Sequence, residues 1–359
     1  MRGLIAFLLF AAIGAAQQSS RGDIDTAIAA EMQRHKVPGA SVAVIRGGKV
    51  AWTAGYGVVE AGGAQRVNDQ TVFQAASLSK AVAAFAALHM SQYGNFGLDE
   101  DLRVKFTGWK PPESNSAPNG FTLRQLASHT AGFTVSGFPG YRAGAAVPSL
   151  EQVLNGESPA NTKPVVIDIP PGSQARYSGG GFTVMQSLMM DRLKRPFPGI
   201  MQMIVLKPLK MTRSTFEQPL PEAWAANAAR AHDKNGKPIP GRWHTYPEMA
   251  AAGLWTTPGD YALFLIELWR AQRGESDRVV NRQSANEMVT PALGENGLGV
   301  MVRGVGARRR IRHGGSNAGF RCFFSLTLSS GDGAVVMTNS DNGAAMFDKI
   351  AAMLKVQLR

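Results

Sequence analysis

The 359-residue sequence predicts an α+β fold: one antiparallel sheet assembled from the two chain ends, flanked by helices, with a mostly helical region inserted between them. Three observations carry this prediction. A helix and a hairpin open the chain, three strand-like runs and a helix close it, and the long middle is rich in helix and turn signals. The middle shows neither a low-complexity linker nor an internal repeat. Sheet-forming segments are expected at about 22–75 and 295–359 and the helical region at about 77–290, all within one domain over 22–359. With 44% hydrophobic and 18% charged residues, the chain can bury a sizeable core.

Ile24, Ile28 and Met32 recur every four residues and predict an amphipathic helix that stops before Val37-Pro38-Gly39. Ser41–Ile45 and Lys49–Tyr56 then read as strands, joined by Gly47-Gly48, a two-residue turn that tolerates positive φ. At the other end Arg308–Arg312, Phe320–Leu328 and Ala334–Thr338 read as strands. Met346, Ile350, Met353 and Leu354 mark a closing helix. Between these ends, Lys110-Pro111-Pro112 and Ile169-Pro170-Pro171-Gly172 are turns.

Residues 1–16 have the layout of a cleavable secretory signal: Arg2, an apolar run from Leu4 to Ile13, then Gly14, Ala15 and Ala16. The alternatives are a buried helix and an uncleaved anchor, but the run is short for a bilayer span. A periplasmic or secreted protein with no integral membrane segment after signal cleavage is expected. Cys322 is the only cysteine, which excludes an intramolecular disulfide; in Phe320-Arg321-Cys322-Phe323-Phe324 it reads as a buried structural thiol.

The net charge of +12 raises the question of nucleic acid, yet no recognition motif is present and an exported chain seldom meets it. Arg308, Arg309, Arg310 and Arg312 form the one dense basic run. Two readings stand for it: a solvated strand face, or a device that steers anionic substrates or wall polymers.

The chemistry centres on Ser77-Leu78-Ser79-Lys80, followed by the alanine-rich run 81–88. Such a run is a strong, slim helix former that can pass through a core. Residues three apart share a helix face, which brings the Lys80 amine toward the Ser77 hydroxyl. A helix start also offers N–H groups that favour developing negative charge. A serine hydroxyl needs a nearby base, and an amine with an ordinary pKa of about 10.4 must lose its proton to serve as one. Alone the tetrapeptide is equally a helix start with a solvated lysine.

Two further motifs join it. Tyr177, in Arg176-Tyr177-Ser178-Gly179-Gly180-Gly181, follows a rigid turn and can relay a proton, while the glycines let other groups approach the backbone. His313-Gly314-Gly315-Ser316 ends a strand where small side chains let a substrate lie along the sheet edge. The N–H groups of Ser77 and Ser316 are the candidate oxyanion hole, with His313 and Gly315 beside them.

The order Ser77-x-x-Lys80, Tyr177, His313-Gly-Gly resembles the class C β-lactamases, DD-peptidases and β-lactamase-like esterases. Further stretches share the resemblance: Val37–Ile45, Leu126–Gly132, Ala252–Pro258 and Val336–Ser340. Together they span about residues 25–355. The resemblance implies a β-lactamase/transpeptidase-like fold and acylation of Ser77, with Lys80 and Tyr177 moving protons and no cofactor. It also implies a small ester, amide or β-lactam substrate, or a cell-wall peptide.

Two positions depart from the family pattern. Tyr177-Ser178-Gly179 stands where Tyr-x-Asn is usual, and His313-Gly314-Gly315 where Lys-Thr-Gly is usual, so the permanent cation that engages a substrate carboxylate is missing. This tilts the expectation toward esters or small amides and peptides. β-Lactamase or D-Ala-D-Ala carboxypeptidase activity is the alternative, and a penicillin or wall-peptide sensor that does not turn over is the alternative of another class.

His244, Trp255 and Arg321 are candidates for the cleft wall, with loop packing the competing reading for His244. His129 reads as a histidine that satisfies loop backbone groups. Gly314-Gly315-Ser316-Asn317-Ala318 lacks the last glycine of a nucleophile elbow. His232, His244 and Glu248 lack metal-ligand spacing, so no metal site is expected.

Overall fold

The computed structural model describes residues 21–356, so the expected signal at 1–16 lies outside the described residues. Helix α1 (Arg21–His35) leads into β1 (Gly39–Arg46) and β2 (Lys49–Gly57), followed by β3 (Phe73–Gln74). The middle contains α2 (Ser79–Gln92), α3 (Leu123–Ala127), α4 (Leu150–Asn155), α5 (Gly179–Leu193), α6 (Phe197–Met201), α7 (Glu222–Ala225) and α8 (Met249–Ala252). Then come β4 (Trp255–Thr256), α9 (Pro258–Arg273), α10 (Arg282–Met288) and the strands β5 (Met301–Arg303), β6 (Arg310–Asn317), β7 (Phe320–Thr327) and β8 (Gly333–Thr338). Helix α11 (Phe347–Met353) is the last element among the described residues.

The main sheet has the order β2-β1-β8-β7-β6-β5, with every pair antiparallel. Pairing of β1 with β8 joins the two chain ends, as the sequence predicts. The strands β1 and β8 are buried along nearly their whole length because helices cover both faces. On one face Val42, Val44, Val336 and Phe323 pack with Ile28 and Met32 of α1 and with Phe347, Ile350 and Leu354 near the chain end. On the other face Ala43, Ile45, Phe324 and Val335 belong to the larger core that includes α2, α5 and α9.

Several boundaries differ from expectation. The Arg308–Arg312 strand starts only at Arg310, because Gly306–Arg308 forms a 3-10 turn after Gly304 adopts φ +75°. The closing helix is split into a 3-10 turn (Gly343–Met346) and α11. Strand β5 and the two-residue pair β3–β4 carry too few residues to show a period and are invisible in the sequence pattern. The Gly47-Gly48 turn is as predicted, with φ of +55° and +67°. Cys322 is fully buried, its thiol donates to the Gln74 carbonyl at 3.2 Å, and burial pushes its pKa up to about 12.

Candidate active site

Ser77 sits in a single 3-10 turn (Ala76–Leu78) that runs straight into α2. Most residues of α2 are buried, and its alanines let neighbouring elements approach closely, so Lys80 is only 2% exposed. The Lys80 Nζ lies 3.1 Å from Ser77 Oγ and donates at 2.8 Å to the Ala251 carbonyl at the end of α8. One partner is a hydroxyl and the other a backbone carbonyl.

The turn carrying Ser77 is clamped from several directions. Ala75 N–H donates to Leu254 O at 2.8 Å, Leu254 N–H to Ser79 Oγ at 3.0 Å, and Tyr261 Oη–H to Leu78 O at 3.0 Å. Asn317 Nδ2 bridges Gln74 Oε1 (2.8 Å) and Ala252 O (3.1 Å), tying β6 to the strand before Ser77. Within this clamp Ala76 is held at φ +50°, a left-handed conformation costly for a residue with a Cβ.

Strand β6 passes directly beside this turn. A Cβ at Gly315 would stand 2.5 Å from Ala75 O and 3.2 Å from Ala76 Cβ, so only glycine lets the strand come this close. Gly314, one residue earlier, has open space where a Cβ would be. Strand β5 pairs with β6 only from Arg310 to Arg312, which leaves the His313–Asn317 stretch as an edge beside Ser77.

Tyr177 ends the loop before α5 and is 41% exposed. Its ring centroid lies 5.0 Å from Lys80 Nζ and 6.1 Å from that of His313. Ser178 caps α5 by accepting from Gly181 N–H at 2.9 Å. The following glycines permit close approach, for a Cβ at Gly180 would meet Thr134 O at 2.5 Å. His129 accepts from Ser178 N–H at 3.1 Å, as its loop reading requires. The sequence did not reveal that the same ring packs, tilted, with its centroid 4.4 Å from that of Tyr177.

Burial, then the nearby Lys80, push His313 down to about 4 and His129 well below its ordinary value, so both rings are neutral at pH 7.

Ser77, Tyr177, His313, Gly315, Ser316 and Arg321 line one cleft of about 610 Å³. Its wall also includes Arg312, Gly314, Phe323 and Phe347. The cleft-wall expectation fails for Trp255, which is fully buried between Trp243 and Phe320 and pairs with Gln74 in β3, the strand before Ser77. It fails for His244 as well. That ring lines a separate cleft with Arg142 and Asp233, where its Nδ1 is held 3.0 Å from Pro139 O. Arg321 stands in the cleft but is paired with Asp341 at 2.9 Å.

His232 and Glu248 are likewise apart from one another. His232 is bonded to Asn339 O and Ala61 N, whereas Glu248 is buried with neither side-chain oxygen hydrogen-bonded and is pushed up to about 8 by burial. Among the described residues no group of three His, Cys, Asp or Glu side chains is placed to hold a metal.

The Beta-lactamase family model matches residues 24–358. The chain belongs to the Beta-lactamase family. Protein flp of Staphylococcus aureus is 25% identical over 335 residues, covering 89% of this chain and 63% of flp. The unguisins hydrolase ungD of Aspergillus violaceofuscus is 24% identical over 267 residues, covering 69% of this chain and 45% of that protein. The chain thus spans less than two thirds of the length of either relative. Among solved structures, the D-alanine carboxypeptidase AmpC from Burkholderia cenocepacia superposes with a TM-score of 0.72 at 19% identity, over 93% of this chain and 98% of that one. That likeness shows the β-lactamase/transpeptidase-like fold. Among the described residues no helix of this Beta-lactamase family chain is long and apolar enough to cross a membrane.

Proposed function

We propose that the protein is a serine hydrolase that works through a covalent acyl-enzyme on Ser77, acting on carboxylic esters or small amides and peptides. The observation that carries this reading is the 3.1 Å contact between Ser77 Oγ and a buried Lys80 Nζ whose other partner is a backbone carbonyl. With the amine unprotonated the hydroxyl donates across that contact. The Oγ then attacks the substrate carbonyl carbon and its proton passes to Lys80. The carbonyl oxygen gains negative charge between the N–H groups of Ser77 and Ser316. Collapse breaks the bond to the alcohol or amine, which leaves with that proton. Water repeats the sequence on the acyl-enzyme and frees Ser77. The Tyr177 ring centroid lies 5.0 Å from the Lys80 amine, which supports a share for Tyr177 in proton transfer in both halves.

The preference for esters and small amides rests on His313. A buried neutral imidazole stands where the family usually has a lysine, so this position offers no cation to a substrate carboxylate. A second reading, a β-lactam or D-Ala-terminated substrate, draws on Arg312 and Arg321 in the same cleft. Export to the periplasm or beyond is part of the proposal, and follows from residues 1–16.

The test is intact-mass measurement and turnover with short-chain p-nitrophenyl esters, a chromogenic cephalosporin and D-Ala-terminated peptides, run beside Ser77→Ala. Turnover of the esters with a transient adduct, lost by several orders of magnitude in Ser77→Ala, is expected. A persistent adduct without turnover would instead make the protein a binder, and full activity in Ser77→Ala would remove the nucleophile.

A further inference from the structure

We propose that the cleft beside the β5–β6 hairpin binds a phosphate-bearing anion, at a site separate from the Ser77 cleft. The space is about 690 Å³ and is lined by Arg303, Arg308, Arg309 and Arg310 with one acid, Glu295. It shares no lining residue with the cleft around Ser77. Four guanidinium groups against one carboxylate leave the site strongly positive within a chain whose net charge is already +12.

The hairpin register makes this more than a solvated basic face. Arg303 lies directly opposite Arg310 in the β5–β6 ladder, and like charges in facing positions destabilise a sheet pair. Burial lowers the pKa of both Arg310 and Arg312, and in each case Arg303 is the next contributor. Glu295 relieves part of the repulsion through a 2.6 Å bond to Arg303 Nε. Arg309 is held in place by donating to Val289 O at 2.7 Å. Such a wall suits an anion that accepts bonds from several directions at once. A phosphate, with its tetrahedral oxygens, does this, whereas a carboxylate presents one planar edge; guanidinium forks match phosphate oxygens well. The volume also accommodates more than one phosphate unit.

The anion can come from a soluble polyphosphate-type ligand or from a lipid headgroup. Titration calorimetry of the full chain with tripolyphosphate at constant ionic strength tests the first source. Co-sedimentation with phosphatidylglycerol–phosphatidylcholine vesicles, against phosphatidylcholine alone, tests the second. In either arm saturable binding is expected, weakened about tenfold or more in Arg303→Gln/Arg308→Gln as two charges are lost beside the anion. Glu295→Gln is expected to tighten binding, an effect that a merely structural role for Glu295 would not produce. Turnover at Ser77 stays unchanged in both variants. If the double variant fails to fold, Arg308→Glu at an exposed position carries the same test. Absence of saturable binding in both arms, or undiminished binding in a folded Arg308 variant, overturns the proposal. So does equally tight binding of a duplex DNA oligonucleotide, which would mark a general polyanion surface.

Discussion

Adding a single methyl group at Gly315 should impair turnover at Ser77 while leaving the fold intact. The new Cβ would lie 2.5 Å from Ala75 O and 3.1 Å from Leu78 Cδ1. To restore an ordinary 3.4 Å contact, the carbonyl must recede by about 0.9 Å. Ala75 and Ala76 immediately precede Ser77, and Ala76 at φ +50° has little conformational latitude, so the movement passes to the Ser77 hydroxyl. A misplacement of about 1 Å in reacting groups costs on the order of 100-fold in rate, or about 2.7 kcal/mol of barrier. Gly314→Ala is the matched control, because its Cβ meets nothing within 4 Å. The assay is kcat/KM on the best ester substrate, with melting temperature measured on both variants. Gly315→Ala should fall about 100-fold with Gly314→Ala within threefold of wild type. Equal activities in two folded variants would refute the claim that β6 sets the position of Ser77.

Lys80→Met should lower kcat by about 10²- to 10⁴-fold through loss of the proton acceptor, and destabilise the fold by about 1–3 kcal/mol because Ala251 O loses its buried partner; activity within tenfold of wild type would exclude Lys80 as the base. His313, held near 4 in the folded chain against about 6.5 unfolded, contributes stability that is complete above pH 6.5 and is lost as pH falls toward 4, about 3 kcal/mol in all. The difference in unfolding free energy between wild type and His313→Gln should therefore change across that window, and a constant difference would contradict it. Glu248 acts with the opposite sign: raised to about 8, it contributes stability present below about pH 4.5 that is lost as pH rises to 8. Glu248→Gln should therefore gain stability relative to wild type, by a few kcal/mol, as pH is raised from 4.5 to 8, and chemical denaturation at three pH values checks this.

The sequence by itself determined the architecture and singled out Ser77 and Lys80 as candidates. Strand-like runs at both chain ends point to a shared sheet, and the three-residue spacing of Ser77 and Lys80 before an alanine-rich run puts hydroxyl and amine on one helix face. Both properties are local in sequence, one a period and the other a helical repeat. What depends on contacts between distant segments was decided by the tertiary structure alone. His129 and Tyr177 are 48 positions apart, and nothing local to either residue signals that their rings pack together. Trp255 carries a motif that suggested a cleft wall, yet the β3–β4 pairing buries it. The neutrality of His313 likewise follows from burial beside Lys80, which no composition or motif encodes. Nor can a sequence show that Gly315 is fixed by a carbonyl 240 residues away while a Cβ on the glycine before it would meet nothing; that difference appears only when the strand and the Ser77 turn are packed together.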